Sequence, residues 1–75
     1  MEFRWNEWNA DHIGRHGVSP REAEAVVMGA KPPYPLCRPD EKWLVWGPGV
    51  GRRLIQVVYV LDEDDRVFVI HARPL

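Results

Sequence analysis

Three segments in the C-terminal half of the chain have the composition of β-strands and follow one another closely. They are residues 41 to 46 (EKWLVW), 52 to 61 (RRLIQVVYVL) and 66 to 73 (RVFVIHAR), each rich in β-branched or aromatic residues. A glycine-rich loop, GPGVG, separates the first two, and the acidic run DEDD separates the last two. Short loops of this kind close hairpins, so we expect an antiparallel sheet with the acidic run as a solvated turn.

The N-terminal half predicts two helices. The first lies within NEWNADHIGRHG, where Asn6 is the expected N-cap and Gly17 the C-terminal stop. The second lies within VSPREAEAVVMG, where Ser19 caps, Pro20 takes the first helical position and Glu22 completes a capping box. An apolar stripe at helical spacing should place this helix on the sheet: it consists of Ala23, Val26, Val27 and Ala30.

Two shorter segments complete the fold prediction. EFRW at the start alternates like a first strand, and KPPYPLCRPD, with four prolines, suits a connector or an edge strand. A polyproline ligand for another domain is the alternative for the second segment. We predict one α+β domain over residues 1–75, with two N-terminal helices packed on one face of an antiparallel sheet of three to five strands. A chain of 75 residues has a thin stability margin, so a partner or a second copy would help.

The charge balance argues against one class of function. A net charge of −1 and a pI near 6.3 are not those of a protein that coats nucleic acid through bulk electrostatics, so any RNA binding must come from a local basic patch. The single cysteine, Cys37, excludes an intrachain disulfide, and no secretory signal is recognisable. The longest apolar run, Val57 to Leu61, is too short to span a bilayer. We expect a cytoplasmic protein without a membrane segment.

The loops predict how the strands pair, because residues directly opposite each other share one face of the sheet. An even-length acidic turn pairs Leu61 with Arg66, and a symmetric GPGVG loop pairs Trp46 with Arg52. One face is then apolar and should receive the helices, with Arg53 at its end. The opposite face carries an apolar and a polar group: Val58, Val60, Val67 and Val69 near the acidic turn, and a row of Lys42, Gln56 and His71 with Arg73, Arg52 and Trp46 beyond it.

The polar group suits cleavage of an RNA phosphodiester through its 2′-hydroxyl. Without a metal, this reaction requires a general base, a general acid and cationic donors for the phosphate. His71 is the natural acid or base. Arg73 and Arg52 would hold the phosphate, and Lys42 could serve either purpose. The alternative is that these are ordinary solvated residues at strand ends.

Three further side chains are candidates for substrate binding: Gln56, Arg53 and Trp46, the last as a surface on which a base stacks. His12 and His16, four residues apart, could ligate a metal from one helix face. No carboxylate or third ligand is patterned with them. We therefore expect neither a metal nor another cofactor.

The order of the motifs resembles a known family. A chain that begins EFRWNEWNADHIGRHGVSPREAEAVV, continues through DEKWLVWG and ends in RVFVIHAR is similar to the BrnT family of bacterial type II toxins. The similarity covers nearly the whole chain, and HGVSPREA and the closing IHAR are its most specific parts. The resemblance implies a fold like that of the RelE and ParE toxins, ribonuclease activity that arrests translation, and neutralisation by a cognate DNA-binding antitoxin.

The resemblance also assigns positions, with some departures. Arg73 falls on the arginine of the family's final SAR-like strand, and Glu41 with Lys42 falls on its Glu-Arg pair before a tryptophan. A lysine keeps the charge but loses bidentate phosphate binding. His71 stands where the family usually has serine, and His12 where it often has asparagine. Relatives usually continue into a C-terminal helix, and we expect a fold without that helix here.

These observations lead to one expected function and two alternatives. We expect a BrnT-like, metal-independent endoribonuclease. The alternatives are a toxin-like interaction module that no longer cleaves RNA and a purely structural α+β protein. Four exposed valines would form an apolar patch of the kind that marks an interface, and we expect a second copy in a homodimer, or the antitoxin in a hetero-oligomer, to cover it: Val58, Val60, Val67 and Val69.

Overall fold

The structure, a computed structural model, describes residues 1–75 and consists of two helices and a four-stranded antiparallel sheet. The helices are α1 (Glu7–Gly14) and α2 (Pro20–Met28), and neither is long and apolar enough to cross a membrane. The strands lie in the sheet in chain order: β1 (Leu36–Arg38), β2 (Lys42–Pro48), β3 (Leu54–Leu61) and β4 (Val67–Pro74). The predicted α+β class with two N-terminal helices is confirmed.

Both helices begin at the predicted caps. The Asn6 side chain accepts a hydrogen bond from the backbone N–H of Asn9, and the Asn9 side chain accepts one from the backbone N–H of Asn6. Ser19 Oγ accepts from the backbone N–H of Glu22 at the start of α2. The predicted capping box at α2 is only half formed, because the carboxylate of Glu22 binds Arg53 instead of reaching back to Ser19.

Apolar side chains of both helices pack on one face of the sheet, here called the helix-covered face. α1 packs beside β4, and α2 lies over β2 and β3. A single core results, because apolar side chains from both layers are buried together. Its helical and inter-helix members are Ile13, Val18, Ala23, Val26 and Val27, and its sheet members are Val45, Ile55, Val57, Tyr59, Val67, Val69 and Ala72. The other side of the sheet is here called the open face.

The pairing of β2 with β3 differs from the prediction by four residues on β3, because the centre of the turn lies two residues further along the chain. Trp46 pairs with Gln56, not with Arg52, and Lys42 is not opposite Gln56. The turn is centred on Gly51, where φ is +67°, and not on Gly49, whose backbone is extended. A shift by an even number of residues conserves parity, so the predicted faces of β2 and β3 still hold.

The pairing of β3 with β4 begins one residue away from the prediction. The loop between Leu61 and Val67 has an odd length, with Asp65 at a φ of +59°, so Leu61 pairs with Val67 and not with Arg66. A slip of one residue exchanges the faces. Val67 and Val69 are therefore in the core, 2% and 0% exposed. The prediction that they form an exposed partner surface is wrong.

A β-bulge in β4 then restores the predicted face for the end of the chain. Tyr59 pairs with Val69, but the preceding residue of β3, Val58, pairs with His71, which leaves Ile70 as the extra residue of β4. Beyond the bulge Arg73 pairs with Gln56. His71 and Arg73 consequently lie on the open face, as predicted, although the two valines before them do not.

The predictions for the two segments outside the helices and long strands differ in outcome. The proline-rich segment ends in β1, a short edge strand whose Leu36 and Arg38 pair with Leu44 and Lys42 of β2, so the edge-strand interpretation is confirmed. The opening residues do not form a strand. They contribute one parallel bridge, between Phe3 and Val67.

The acidic turn is organised around Asp62 and is not solvated throughout. Its carboxylate accepts hydrogen bonds from the backbone N–H groups of Asp64 and Arg66 and from the guanidinium groups of Arg4 and Arg66. Burial raises the pKa of Asp62, but the two backbone donors, followed by the Arg4 and Arg66 guanidinium groups, lower it to about 2. Asp62 thereby ties the N-terminal segment to the β3–β4 turn.

Candidate active site on the open face

The strand register arranges the open face in two rows of side chains that run across the sheet. One row is Leu36, Leu44, Val58 and His71, and the next is Trp46, Gln56 and Arg73. Neighbouring members of a row are about 5 Å apart, which is the spacing between strands. His71, Gln56 and Arg73 therefore lie together, whereas Lys42 is on the same face but outside both rows.

A cleft of about 540 Å³, here called the open-face cleft, lies over the first row. Its lining is half apolar and half polar: Arg38, Lys42, Leu44, Gln56, Val58, Ile70 and His71. No carboxylate lines it, so its charged side chains are all cations or a histidine. Such a cleft suits an anion that also carries an apolar or planar group.

His71 sits at the boundary between the open-face cleft and α1. It is half-buried, and its ring centroid is 5.6 Å from that of His16 and 6.4 Å from that of His12. Burial is the main cause that lowers the pKa of His71 below its usual value of 6.5, followed by the charges of His16, Arg73 and His12. The imidazole is therefore neutral near pH 7 and able to accept a proton.

An aromatic stack holds α1 against the edge of β4. His12 stacks on Trp8 with ring centroids 5.4 Å apart, and Trp8 stacks on Phe68 at 6.1 Å. The guanidinium of Arg4 lies 4.2 Å from the centroid of the Phe68 ring. The one-residue slip in β4 is what brings Phe68 to this position, and through the stack it fixes the helix that carries the neighbours of His71.

Arg73 is exposed and pairs across the sheet with Gln56. The side-chain oxygen of Gln56 accepts a hydrogen bond from Trp46 Nε1 at 3.0 Å, which holds the amide in one orientation. The amide nitrogen of Gln56 makes no hydrogen bond within the protein. Gln56 can therefore donate to a ligand that sits between His71 and Arg73.

Two of the predicted site residues lie away from both the open-face cleft and the row of Trp46, Gln56 and Arg73. Arg52 is exposed in the β2–β3 turn, with a φ of +63°. Arg53 binds the buried carboxylate of Glu22 through Nε at 3.0 Å and Nη2 at 2.6 Å, and its Nη2 also donates to the carbonyl of Gly17. These contacts commit Arg53 to the helix-covered side, so its predicted substrate-binding role has no geometric support.

The remaining predicted residues have mixed placements. Lys42 lines the open-face cleft, and Trp46 lies on the open face at 43% exposure. Val58 and Val60 are half-buried on the open face. Glu41, which the resemblance pairs with Lys42, is exposed in the β1–β2 turn and does not line the cleft.

Sequence reasoning missed Arg38 and the approach of His12 and His16 to His71. The alternation of LCR before a turn is a weak strand signal that the surrounding prolines obscure. The histidine cluster has no local signal at all, since it depends on how α1 packs along β4. The three histidines lie near one another, yet no group of His, Cys, Asp and Glu has an arrangement that could hold a metal ion.

Comparison of the chain with family models, with curated proteins and with solved structures finds no match.

Proposed function

We propose that the protein is a metal-independent endoribonuclease that cleaves RNA through the 2′-hydroxyl, as a BrnT-like toxin of RelE and ParE type. The observation that carries the proposal is the grouping of His71, Gln56 and Arg73 on one face, beside a cleft that holds Arg38 and Lys42. The three cations among these residues are Arg38, Lys42 and Arg73, and none of them forms an ion pair within the protein. They are therefore available to a phosphate.

Each residue has a role in this reaction. The neutral imidazole of His71 takes the proton of the 2′-hydroxyl, whose oxygen attacks the phosphorus and forms a 2′,3′-cyclic phosphate. The bond from phosphorus to the 5′-oxygen breaks, and the leaving 5′-oxygen takes a proton from solvent water. Arg73 donates to the phosphate oxygens and stabilises the charge that develops on them. Lys42 and Arg38 add positive charge on the other side of the cleft, and the free amide N–H groups of Gln56 orient the phosphate between them.

The open face also supports the proposed partners, because apolar side chains remain half-exposed on it beside these cations. They are Leu44, Val58, Val60, Phe68 and Ile70. A cognate DNA-binding antitoxin would cover this face with an acidic amphipathic segment and so block the RNA site in a hetero-oligomer. In a homodimer a second copy would cover it instead. We assign the protein to the cytoplasm, where its RNA substrate and the antitoxin would meet it.

The same apolar content favours a second candidate function, a toxin-like interaction module without catalysis. In that case the open face binds the partner and His71 is only a packed histidine. The two candidates differ in one measurable property, which is turnover of RNA by the isolated protein.

The test is RNA cleavage by purified protein, followed by separation of the fragments. His71→Ala should lower the rate about 10²- to 10⁴-fold, since it removes the general base. Arg73→Ala should lower it about 10²- to 10³-fold. Arg21→Ala is the matched control, because Arg21 is an exposed, unpaired cation on α2, and it should leave the rate unchanged.

Cleavage should also persist after a chelator removes divalent ions. If the parent chain does not cut RNA, the ribonuclease proposal fails and the interaction module stands. If Arg21→Ala lowers the rate as much as Arg73→Ala, the effect is one of overall charge and the site is elsewhere.

A further inference from the structure

A second cleft opens next to the candidate active site, where the segment before β1 meets β2. It has a volume of about 290 Å³ and is here called the aromatic cleft. Its lining is Gly29, Lys31, Pro32, Tyr34, Trp46, Gly47, Pro48 and Leu54. The ring centroids of Tyr34 and Trp46 are 6.2 Å apart and the rings are tilted by 30°, so one wall of the cleft is aromatic.

The indole of Trp46 is held in place and remains accessible. Its Nε1 donates to Gln56 at 3.0 Å, and its backbone is paired with β3 at the same residue. It is nevertheless 43% exposed. A large aromatic side chain that is fixed by a hydrogen bond yet open to solvent is a preformed surface for a planar ligand, since little side-chain entropy is lost on binding.

The position of Trp46 relates the aromatic cleft to the phosphate site. Trp46, Gln56 and Arg73 form one row across three strands, so the backbones of Trp46 and Arg73 are separated by two strand spacings, about 10 Å. The side chain of Gln56 lies between them and contacts Trp46 directly. A phosphate at Arg73 would therefore place a neighbouring part of the same strand over Trp46.

Charge also favours a polyanion as the occupant. Lys31 lines the aromatic cleft and makes no ion pair within the protein, and no carboxylate lines this cleft. Lys31 and Arg73 thus provide positive charge on both sides of Trp46. Two cations that flank an exposed ring match the alternation of phosphate and base along a single strand.

We propose that the aromatic cleft binds one unpaired nucleobase of single-stranded RNA, stacked on Trp46, next to the phosphate held by Arg73. This inference rests on the proposed function and specifies its substrate, which is an unpaired strand rather than a duplex. A base in a duplex is already stacked on both sides and cannot enter the cleft.

The test measures binding of a fluorescently labelled, single-stranded 2′-O-methyl RNA, which lacks the attacking hydroxyl and cannot be cleaved. Trp46→Ala should weaken binding about 5- to 150-fold, the equivalent of losing one base stack. Trp46→Phe should recover much of the affinity, because a ring is retained. Leu61→Ala is the control, because Leu61 is 47% exposed at the end of β3 that is farther from Trp46. This variant should bind with unchanged affinity.

A series of RNA strands, each with one abasic nucleotide at a different position, distinguishes the loss of base stacking from a general loss of fold. For the parent chain, one abasic position should weaken binding to the same extent as Trp46→Ala. For the Trp46→Ala variant, the same position should have no further effect, since the two changes remove one contact. The folded state of each variant is checked by thermal unfolding.

The outcomes separate this inference from the proposed function. If the chain cleaves RNA but Trp46→Ala and the abasic strands bind like their parents, the cleft proposal is overturned and the ribonuclease stands. If the abasic coupling is found without any cleavage, the base site stands and the ribonuclease fails. If the parent chain binds a proline-rich peptide more tightly than the RNA strand, or binds no RNA strand, the cleft proposal is overturned.

Discussion

His71 is the residue whose chemistry depends most on its surroundings. It is half-buried, and every ionisable group that lowers its pKa is basic: His16, Arg73 and His12. A proton on His71 would be desolvated and repelled from both the α1 side and its own strand. The same surroundings that keep His71 neutral and able to accept a proton also make its protonation unfavourable to the fold.

The lowered pKa of His71 therefore makes stability depend on pH in a defined direction. The unfolded chain binds the proton at a higher pH than the folded chain, so the free energy of unfolding should fall as the pH drops below about 6.5. Above that pH the contribution is fully present. Urea unfolding at pH 7.5 and pH 5.5 measures it, and His71→Gln should reduce the difference between the two values. An unchanged difference would contradict the assigned surroundings of His71.

Glu22 shows how a sequence motif can be assigned to the wrong partner. It lies three residues after the Ser19 cap, which is the capping-box position, but its side chain is 3% exposed and binds Arg53 and the backbone N–H of Val50. The β2–β3 turn approaches this carboxylate so closely that a Cβ on Gly49 would overlap it. Glu22 therefore joins α2 to the turn, a contact between distant residues that a local pattern does not reveal.

Replacement of the Glu22 carboxylate should lower the free energy of unfolding and should change how that free energy depends on pH in the acid range. Glu22→Gln removes the charge-assisted bonds to Arg53 and Val50, and we expect the free energy of unfolding to fall by about 1–3 kcal/mol near pH 7. The Arg53 hydrogen bond is the main cause that lowers the pKa of Glu22. The parent chain should therefore lose stability as the pH falls through that pKa, and the variant should lose less. Glu63→Gln, in an exposed turn position, should change neither property.

Strand β4 explains which parts of the fold and site were predictable. The hydrophobic pattern identified the strand, but alternation alone does not fix parity, and the odd-length acidic loop reversed the faces of Val67 and Val69. The bulge at Ile70 reversed them again, so His71 and Arg73 reached the predicted face through two deviations that cancel. Neither the positive φ of Asp65 nor the bulge has a distinct sequence signature. The predicted face of His71 and Arg73 was therefore correct, but the pairing from which it was predicted was not.

The bulge also leads to a prediction about β4. Deletion of Ile70 should leave His71 and Arg73 on the open face, because strict alternation from Val69 then gives the same faces. Unfolding should stay cooperative, with a loss of about 1–2 kcal/mol for the half-buried side chain. Deletion of Ala72 is the contrasting variant. It forces either His71 or Arg73 into the helix-covered face, so cooperative unfolding should be lost. Denaturant unfolding monitored by tryptophan fluorescence distinguishes the two.

The distribution of charge over the whole molecule is compatible with the proposed RNA site despite the acidic net charge. Of the ten Lys and Arg residues, Arg4, Arg15, Arg53 and Arg66 are in ion pairs with acidic partners. Three of the unpaired cations are on the open face: Arg38, Lys42 and Arg73. Composition predicted that any RNA binding must be local, but only the register and the ion pairs show where the free charges are.

A local site of this kind predicts that RNA binding depends only modestly on salt concentration, by an amount set by the number of phosphates that the protein contacts. Each phosphate neutralised on a single strand contributes about −0.7 to the slope of log K against log salt concentration. Contacts from Lys31 in the aromatic cleft and from Arg38, Lys42 and Arg73 on the open face should therefore give a slope of about −2.8 for the uncleavable strand. Arg73→Ala should reduce the magnitude of the slope to about 2.1. Arg21→Ala removes the same charge from α2 and should leave the slope at its parent value. An equal change in both variants would mean that the strand senses overall charge, and the assignment of the open face would then be wrong.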